Sequence, residues 1–292
     1  MRLLRVGPPG RERPAALDAD GILRDLSGVV PEIDGALLAD PVRMAGLRQL
    51  VLPGLPAVRG NVRIGPPVAR PGKVVGIGLN YKDHAAEAGL AIPDEPVVFL
   101  KPSTTVSGPY DPVELPPGST SSDHEVELGV VLGRRLKGCT DPAAALDAVG
   151  GYLTADDLTE RAQLAKGPTW AKGKCADTFT PIGPWLVTAD EVGDPQALSL
   201  ELSVNGCVRQ SGSTSLMAYG VGELLAFVSC LMTLEPGDLV LTGTPGGVAA
   251  GRPDPKPFLR EGDVVEAEVS GLGRQRTPVL TSQGRGPVDE AV

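Results

Sequence analysis

Glu125 and Glu127 stand one valine apart in the apolar segment EVELGVVL. Such a segment favours a strand, and side chains two apart on a strand share a face. Two carboxylates therefore point into one space. Held that close they repel, and burial adds to the cost unless a cation sits with them. A divalent metal answers both problems. Asp156 and Asp157, in GYLTADDLTER, each offer a third carboxylate. An all-oxygen set favours Mg²⁺, Mn²⁺ or Ca²⁺ over zinc. The competing reading is a solvated strand face with ordinary charges.

His84 and Glu87 lie three apart in NYKDHAAEAG, a spacing that puts both on one face of a helical turn. Glu87 could hold and polarise the imidazole while His84 takes a proton from water. An exposed loop histidine beside an acid by chance is the plain alternative. The TGTPGG segment around Thr244 offers backbone N–H groups where glycine permits close approach. It lacks the lysine and spacing of a P-loop, which argues against nucleotide binding.

The elements that must position these residues read mostly as strands. MRLLRV and PAALDADGILRDLS are short strands with a turn at Asp20-Gly21, and ALLADPVRMAGLRQLVL has helical spacing. A proline- and glycine-rich connector follows. From Lys73, KVVGIGL, PVVFLKP and EVELGVVLGRRL read as strands, and PAAALDAVGGYL as a helix ending at Gly150-Gly151. LSLELSVNG alternates as a half-buried strand. MAYGVGELLAFVSCLMTL is the clearest helix, with Leu224, Leu225, Val228 and Leu231 as its apolar stripe. DLVLTGTPGG and EGDVVEAEVSGLG complete the strands. No regular βαβα rhythm is present, so a doubly wound sheet or TIM barrel is not expected. The fold class expected is mixed β with some α, largely antiparallel. Residues 1–70 form a small N-terminal domain and linker, 71–282 a main domain, and 283–292 a loose tail.

Bulk properties narrow the function. The 292 residues carry 38 glycines, 29 prolines and only 3% aromatics, which suits a loop-rich β protein. A net charge of −9 and no basic stripe argue against nucleic acid. The four cysteines match no disulfide or zinc spacing, and MRLLRVGPPG has too short an apolar run for a signal peptide. A cytoplasmic protein without a membrane span is expected.

Several ordered segments together resemble the fumarylacetoacetate hydrolase family: GIGLNYKDHAAEAG, VVFLKPSTTVSGP, SSDHEVELGVVLG, GKCADTFTPIGPW and LEPGDLVLTGTPGGV. The resemblance runs from about Gly76 to Gly273. It implies a mixed β-roll preceded by a small N-terminal α+β domain, commonly in homodimers. The family's third metal ligand follows the second glutamate after a gap of 29 residues, which lands on Asp157. The resemblance thus implies Glu125, Glu127 and Asp157 as ligands of Mg²⁺ or Mn²⁺, with His84 and Glu87 as a catalytic dyad. Lys174 matches the family lysine that faces the substrate. Arg161 is either a substrate contact or an ion-pair partner of the metal-site carboxylates. Gln210 and Thr244 are candidate contacts to a substrate carboxylate, and Tyr81 and Lys101 help shape the pocket. Two positions depart from the pattern: His124 stands where an aromatic residue is usual, and Asp156 where asparagine is usual. Period two puts His124 on the face opposite Glu125, which makes it a poor ligand.

The activity implied is hydrolysis of a C–C bond in acylpyruvate-like or diketo acids. The segments near LLRVGPPGRERPAALDADGILRDLS and WLVTADEV resemble members acting on diketo sugar acids or as 2-hydroxyhepta-2,4-diene-1,7-dioate isomerases. Decarboxylase or isomerase chemistry would use the same residues. A non-catalytic metal-binding protein is the reading from another class.

Overall fold

The computed structural model describes residues 1–282; the tail expected over 283–292 lies outside them. Ten strands form one large sheet. From one edge to the other they run Leu23–Asp25, Arg13–Leu17, Arg2–Val6, Leu186–Thr188, Val149–Asp156, Val126–Leu132, Leu239–Leu241, Val74–Gly78 and Val97–Lys101, with Ile64–Gly65 also pairing to Arg2–Val6. Within this sheet, among the described residues, only the pair Leu239–Leu241 and Val74–Gly78 is parallel. A second sheet orders Cys207–Ser213, Ser199–Val204, Val264–Val269, Gly273–Thr281 and Val113–Leu115. The fold is therefore the mixed, mainly antiparallel β-roll with helices that the sequence implies.

The sheets meet over one core in which Val126, Leu128 and Val130 pack with Leu200, Leu202, Val265 and Ala267. The opposite face of strand Val126–Leu132 is covered too. Val131 packs with Leu3, Ile33 and Leu37 from the N-terminal segment. Burial on both faces explains why EVELGVVL is almost continuously apolar rather than alternating.

Three expectations need correction. The helix over 37–50 is two helices, Gly35–Leu38 and Pro41–Arg48. Asp40 caps the second by accepting from the Val42 and Arg43 N–H groups, and Pro41 takes its first turn. The Gly150-Gly151 pair does not end a helix. That helix, Pro142–Leu146, stops earlier, and both glycines lie inside strand Val149–Asp156. They are needed for close approach: a Cβ on Gly151 would lie 2.4 Å from the Val187 carbonyl oxygen. Helix Val221–Leu231 buries Leu224, Leu225 and Val228 as expected, but Leu231 at its end is 59% exposed.

A candidate metal centre in a cavity

Five elements converge on one buried charge cluster. The antiparallel register pairs Val126 with Asp156, and the Glu125 carbonyl accepts the Asp157 N–H at 2.8 Å. This brings the end of one strand against the start of its neighbour, so that Glu125, Glu127 and Asp157 meet. One carboxylate oxygen from each lies within 4.8 Å of the others. Lys174, at the end of helix Ala171–Lys174, places Nζ 2.7 Å from Glu125 Oε2 and 2.5 Å from Asp157 Oδ2. Lys101, at the end of strand Val97–Lys101, donates to Asp157 Oδ1 and to the Phe179 carbonyl. Arg161 donates from Nη2 to Glu125 Oε1 at 2.5 Å and from Nε to Asp123 Oδ2 at 2.8 Å.

The three carboxylates are not equivalent. Burial works against the Glu125 charge, but Lys174 and Arg161 overcome it and hold the carboxyl below the usual range. Glu127 makes no ion pair among the described residues, and the charge of Lys174 helps it too little. It accepts one N–H, from Gly243 at 2.7 Å, and burial together with the Asp157 and Glu125 charges pushes its pKa far up. Asp156 is also buried. Its Oδ1 accepts the Glu125 N–H at 2.7 Å, its Oδ2 has no hydrogen-bond partner among the described residues, and burial raises its pKa to about 7. Lys174 stays charged, because Asp157 and Glu125 outweigh the effect of its burial.

This donor set fits a divalent cation. Glu127 is the deciding residue: a buried carboxylate flanked by two others, with a single N–H donor, lacks the positive charge that would ionise it. The set is all oxygen, which matches Mg²⁺ or Mn²⁺.

A cavity of about 600 Å³ opens over the cluster. Glu125, Glu127, Asp157, Lys174, Arg161 and Thr244 line it, as do His84 and Glu87. Phe99 and Trp170 form an aromatic wall with ring centroids 5.5 Å apart, and Lys174 Nζ lies 5.0 Å from the Phe99 centroid.

His84 and Glu87 sit on helix Lys82–Glu87 and face each other, but at 3.7 Å between Nδ1 and Oε2 they are not hydrogen-bonded. His84 Nδ1 has no partner among the described residues. Glu87 Oε2 accepts the Gly247 N–H at 2.9 Å. Arg161 forms the ion pairs with the site carboxylates and also reaches the cavity wall. Thr244 donates to the Val126 carbonyl and accepts from Gln210.

Gln210, expected as a substrate contact, lies behind the cavity rather than on it, and so do Tyr81 and Lys101, expected to shape the pocket. Gln210 is fully buried, and its amide is spent on the Val126 N–H, Thr244 and the Pro245 carbonyl. Lys101 and Tyr81 are likewise buried and do not line the cavity. Gln210 braces Thr244, and Lys101 braces Asp157, from behind. His124 is wholly buried, with neither ring nitrogen hydrogen-bonded among the described residues, and it stands outside the ligand cluster.

Two features escaped the sequence. Asp123 extends the period-two series Asp123, Glu125, Glu127 and was readable from that alternation. The aromatic wall joins Phe99 to Trp170 across a long separation, which no local pattern signals.

The chain is similar to proteins of known family. Residues 73–280 match the model for the fumarylacetoacetate (FAA) hydrolase C-terminal region. A Burkholderia multivorans protein named only as a hydrolase is 51% identical over 276 residues, covering 94% of this chain and 97% of the relative. The 2-hydroxyhepta-2,4-diene-1,7-dioate isomerase of Mycobacterium marinum is 33% identical at a TM-score of 0.76, covering 98% of this chain and all of that one. Maleylpyruvate hydrolase of Sphingobium sp. SYK-6, solved with manganese(II) and pyruvate, is 29% identical at a TM-score of 0.80 and covers 97% of this chain and 100% of its own. With its fold, its acidic cluster and these relatives, the chain belongs to the fumarylacetoacetate hydrolase family.

Proposed function

We propose that this protein is a divalent-metal-dependent hydrolase that cleaves a C–C bond in a small acylpyruvate-like or diketo acid. The observation that carries this reading is the buried Glu125, Glu127 and Asp157 cluster on the wall of the cavity that His84 and Lys174 share. Those three carboxylates would hold Mg²⁺ or Mn²⁺. A bound ion supplies Lewis-acid polarisation of paired substrate oxygens. The Sphingobium relative, solved with manganese(II) and pyruvate, supports both the ion and a 2-oxo acid ligand.

The chain's own residues then have distinct tasks. Lys174 sets a fixed positive charge where negative charge develops on the 2-oxo acid end. His84 takes a proton from water through Nε2, while Glu87 steadies the ring at Nδ1 once their 3.7 Å separation closes to hydrogen-bonding range. The water oxygen bonds to the distal carbonyl carbon. The C–C bond breaks, and its electron pair stays with the departing 2-oxo acid as an enolate. The proton held on His84 returns to that carbon, so one substrate and one water give two acids. Phe99 and Trp170 keep bulk water off one side of the cavity.

A second reading, isomerisation or decarboxylation on the same site, is favoured by one observation: His84 and Glu87 are not hydrogen-bonded, and neither reaction needs an activated water. The Mycobacterium marinum relative bears an isomerase name. Products separate the two. Metal-free protein is incubated with acetylpyruvate, oxaloacetate and a diketo sugar acid, with and without Mg²⁺ or Mn²⁺. Metal-dependent release of pyruvate with a second acid supports the hydrolase. Release of CO₂ from oxaloacetate alone rejects it in favour of the decarboxylase. The same proposal takes the protein as a cytoplasmic homodimer, which light scattering of the purified chain checks for assembly.

A further inference from the structure

We infer that Asp123 is a positioning residue: one buried carboxylate fixes both Arg161 on Glu125 and the loop 248–252 that walls the cavity. Its side chain is fully buried, and it is not part of the cavity wall. Oδ1 accepts the His124 N–H at 2.9 Å and the Ala249 N–H at 2.7 Å. Oδ2 accepts Arg161 Nε at 2.8 Å and the Ala250 N–H at 3.0 Å. Four donors fill a carboxylate's capacity.

These partners connect two parts of the site. Ala249 and Ala250 open the short turn Ala249–Gly251, and Val248, Ala250, Gly251 and Arg252 line the cavity. Arg161 is the other partner. A guanidinium is a planar, rigid fork, so fixing Nε on Asp123 fixes where Nη2 points. It points at Glu125 Oε1, 2.5 Å away, while Lys174 takes Oε2. The Arg161 backbone is held separately, its N–H donating to the Ser121 carbonyl. Asp123 is thus the group that sets the orientation of the Arg161 side chain, and through it of Glu125.

The Glu125 half of this inference rests on the metal reading above; the loop half does not. Two variants of the full chain test it. Asp123→Asn keeps the shape, but whichever way the amide lies, its NH₂ faces two donors. Arg161→Gln keeps Asp123 and its loop bonds but cuts the link to Glu125. Mn²⁺ affinity is measured by calorimetric titration of metal-free protein, and hydrogen exchange is followed at the Ala249 and Ala250 amides. Partners of metal ligands typically change affinity by roughly 10- to 100-fold, and that loss is expected in both variants. The double variant should lose no more than the weaker single one, because both changes break one chain of contacts. The two amides should exchange about tenfold faster in Asp123→Asn and be unchanged in Arg161→Gln.

A merely structural Asp123 would lower the thermal midpoint and leave Mn²⁺ affinity intact. That result, or additive losses in the double variant, overturns the inference. If Asp123→Asn does not fold, Arg161→Gln decides, and unchanged affinity there overturns it. If the wild-type chain itself binds no Mn²⁺, the metal reading has failed and the exchange data decide alone: amides still protected in Asp123→Asn reject the loop role.

Discussion

At the residue scale the site is a problem in charge balance. Glu125, Glu127 and Asp157 share a buried space with Lys174 and Lys101, while Arg161 divides itself between Glu125 and Asp123. Glu127 is the member without an ion pair among the described residues, and the charge of Lys174 does not offset its burial and the neighbouring carboxylates. Replacing it with glutamine keeps an oxygen for the Gly243 N–H and removes the repulsion. Glu127→Gln should therefore abolish Mn²⁺ binding and all turnover, yet hold or raise the thermal midpoint of the metal-free protein. Melting in a chelator, paired with a metal titration, checks both halves; a lower midpoint would show that Glu127 is compensated after all. His84→Ala separates the roles differently. General-base catalysis contributes about 10²- to 10⁴-fold, so hydrolysis should fall by that factor with Mn²⁺ affinity unchanged. Equal hydrolysis in the variant would leave the dyad without a function. The two glutamates were legible because period two is a geometric rule that needs no tertiary context. Asp157 was legible only through the family gap, since Asp156 and Asp157 differ by which side of a strand end they leave. The role of Gln210 was not legible, because whether a polar group faces a cavity or braces its wall is settled by the second sheet and by distant loops.

At the element scale the backbone makes two demands that side chains cannot relax. Gly151 lies where strands Val149–Asp156 and Leu186–Thr188 pair, and an added Cβ would meet the Val187 carbonyl. Backbone does not yield as a flexible side chain does. Gly151→Ala should destabilise the chain by about 1–3 kcal/mol, read from the denaturant midpoint. The sequence pattern presented this glycine as a helix stop. Local signals for a stop and for close backbone approach are the same residue, and only the partner strand tells them apart. The turn at Asp20-Gly21 was read correctly for a local reason: Gly21 takes a φ of +77°, and Asp18 bridges the turn. Asp18 accepts the Ile22 and Asp20 N–H groups and Arg24 Nε, and these bonds, the one from Ile22 foremost, hold its carboxyl below the usual range. An unfolded aspartate titrates at about 3.9, so the stability from Asp18 is present above that pH and is lost as pH falls through the lower folded value. Asp18→Asn should flatten the acid limb of the stability–pH curve below about pH 3.9, where the wild-type chain loses this contribution. An acid limb identical in the two proteins would rule out the turn as a source of acid sensitivity.

At the scale of the whole molecule the question is whether residues 1–70 stand apart. The sequence suggests a boundary, because a proline- and glycine-rich connector follows the first strands and helices. Hydrogen bonding runs the other way. Strand Arg2–Val6 pairs with Leu186–Thr188 in the large sheet, Arg2 opposite Val187. Leu3, Ile33, Leu37 and Leu47 share a buried cluster with Val131, Leu153, Leu186 and Leu239. Val131 belongs to the strand that carries Glu127, so the N-terminal segment covers the back of the carboxylate strand. The two tryptophans report on separate places: Trp185 lies near the junction, with Arg2 5.7 Å from its ring, and Trp170 lines the cavity. If the segment and the sheet are one cooperative unit, urea unfolding followed by tryptophan fluorescence and by far-ultraviolet circular dichroism gives coincident transitions. Single-tryptophan variants, each retaining one reporter, should share that midpoint. The fragment 71–282 would leave strand Leu186–Thr188 paired on one side only and the cluster uncovered, and such an edge invites association. It is expected to aggregate or bind a hydrophobic dye, and to lose Mn²⁺ binding with the order of the carboxylate strand. A fragment that stays monomeric, melts sharply and binds Mn²⁺ like the full chain would establish residues 1–70 as an independent domain.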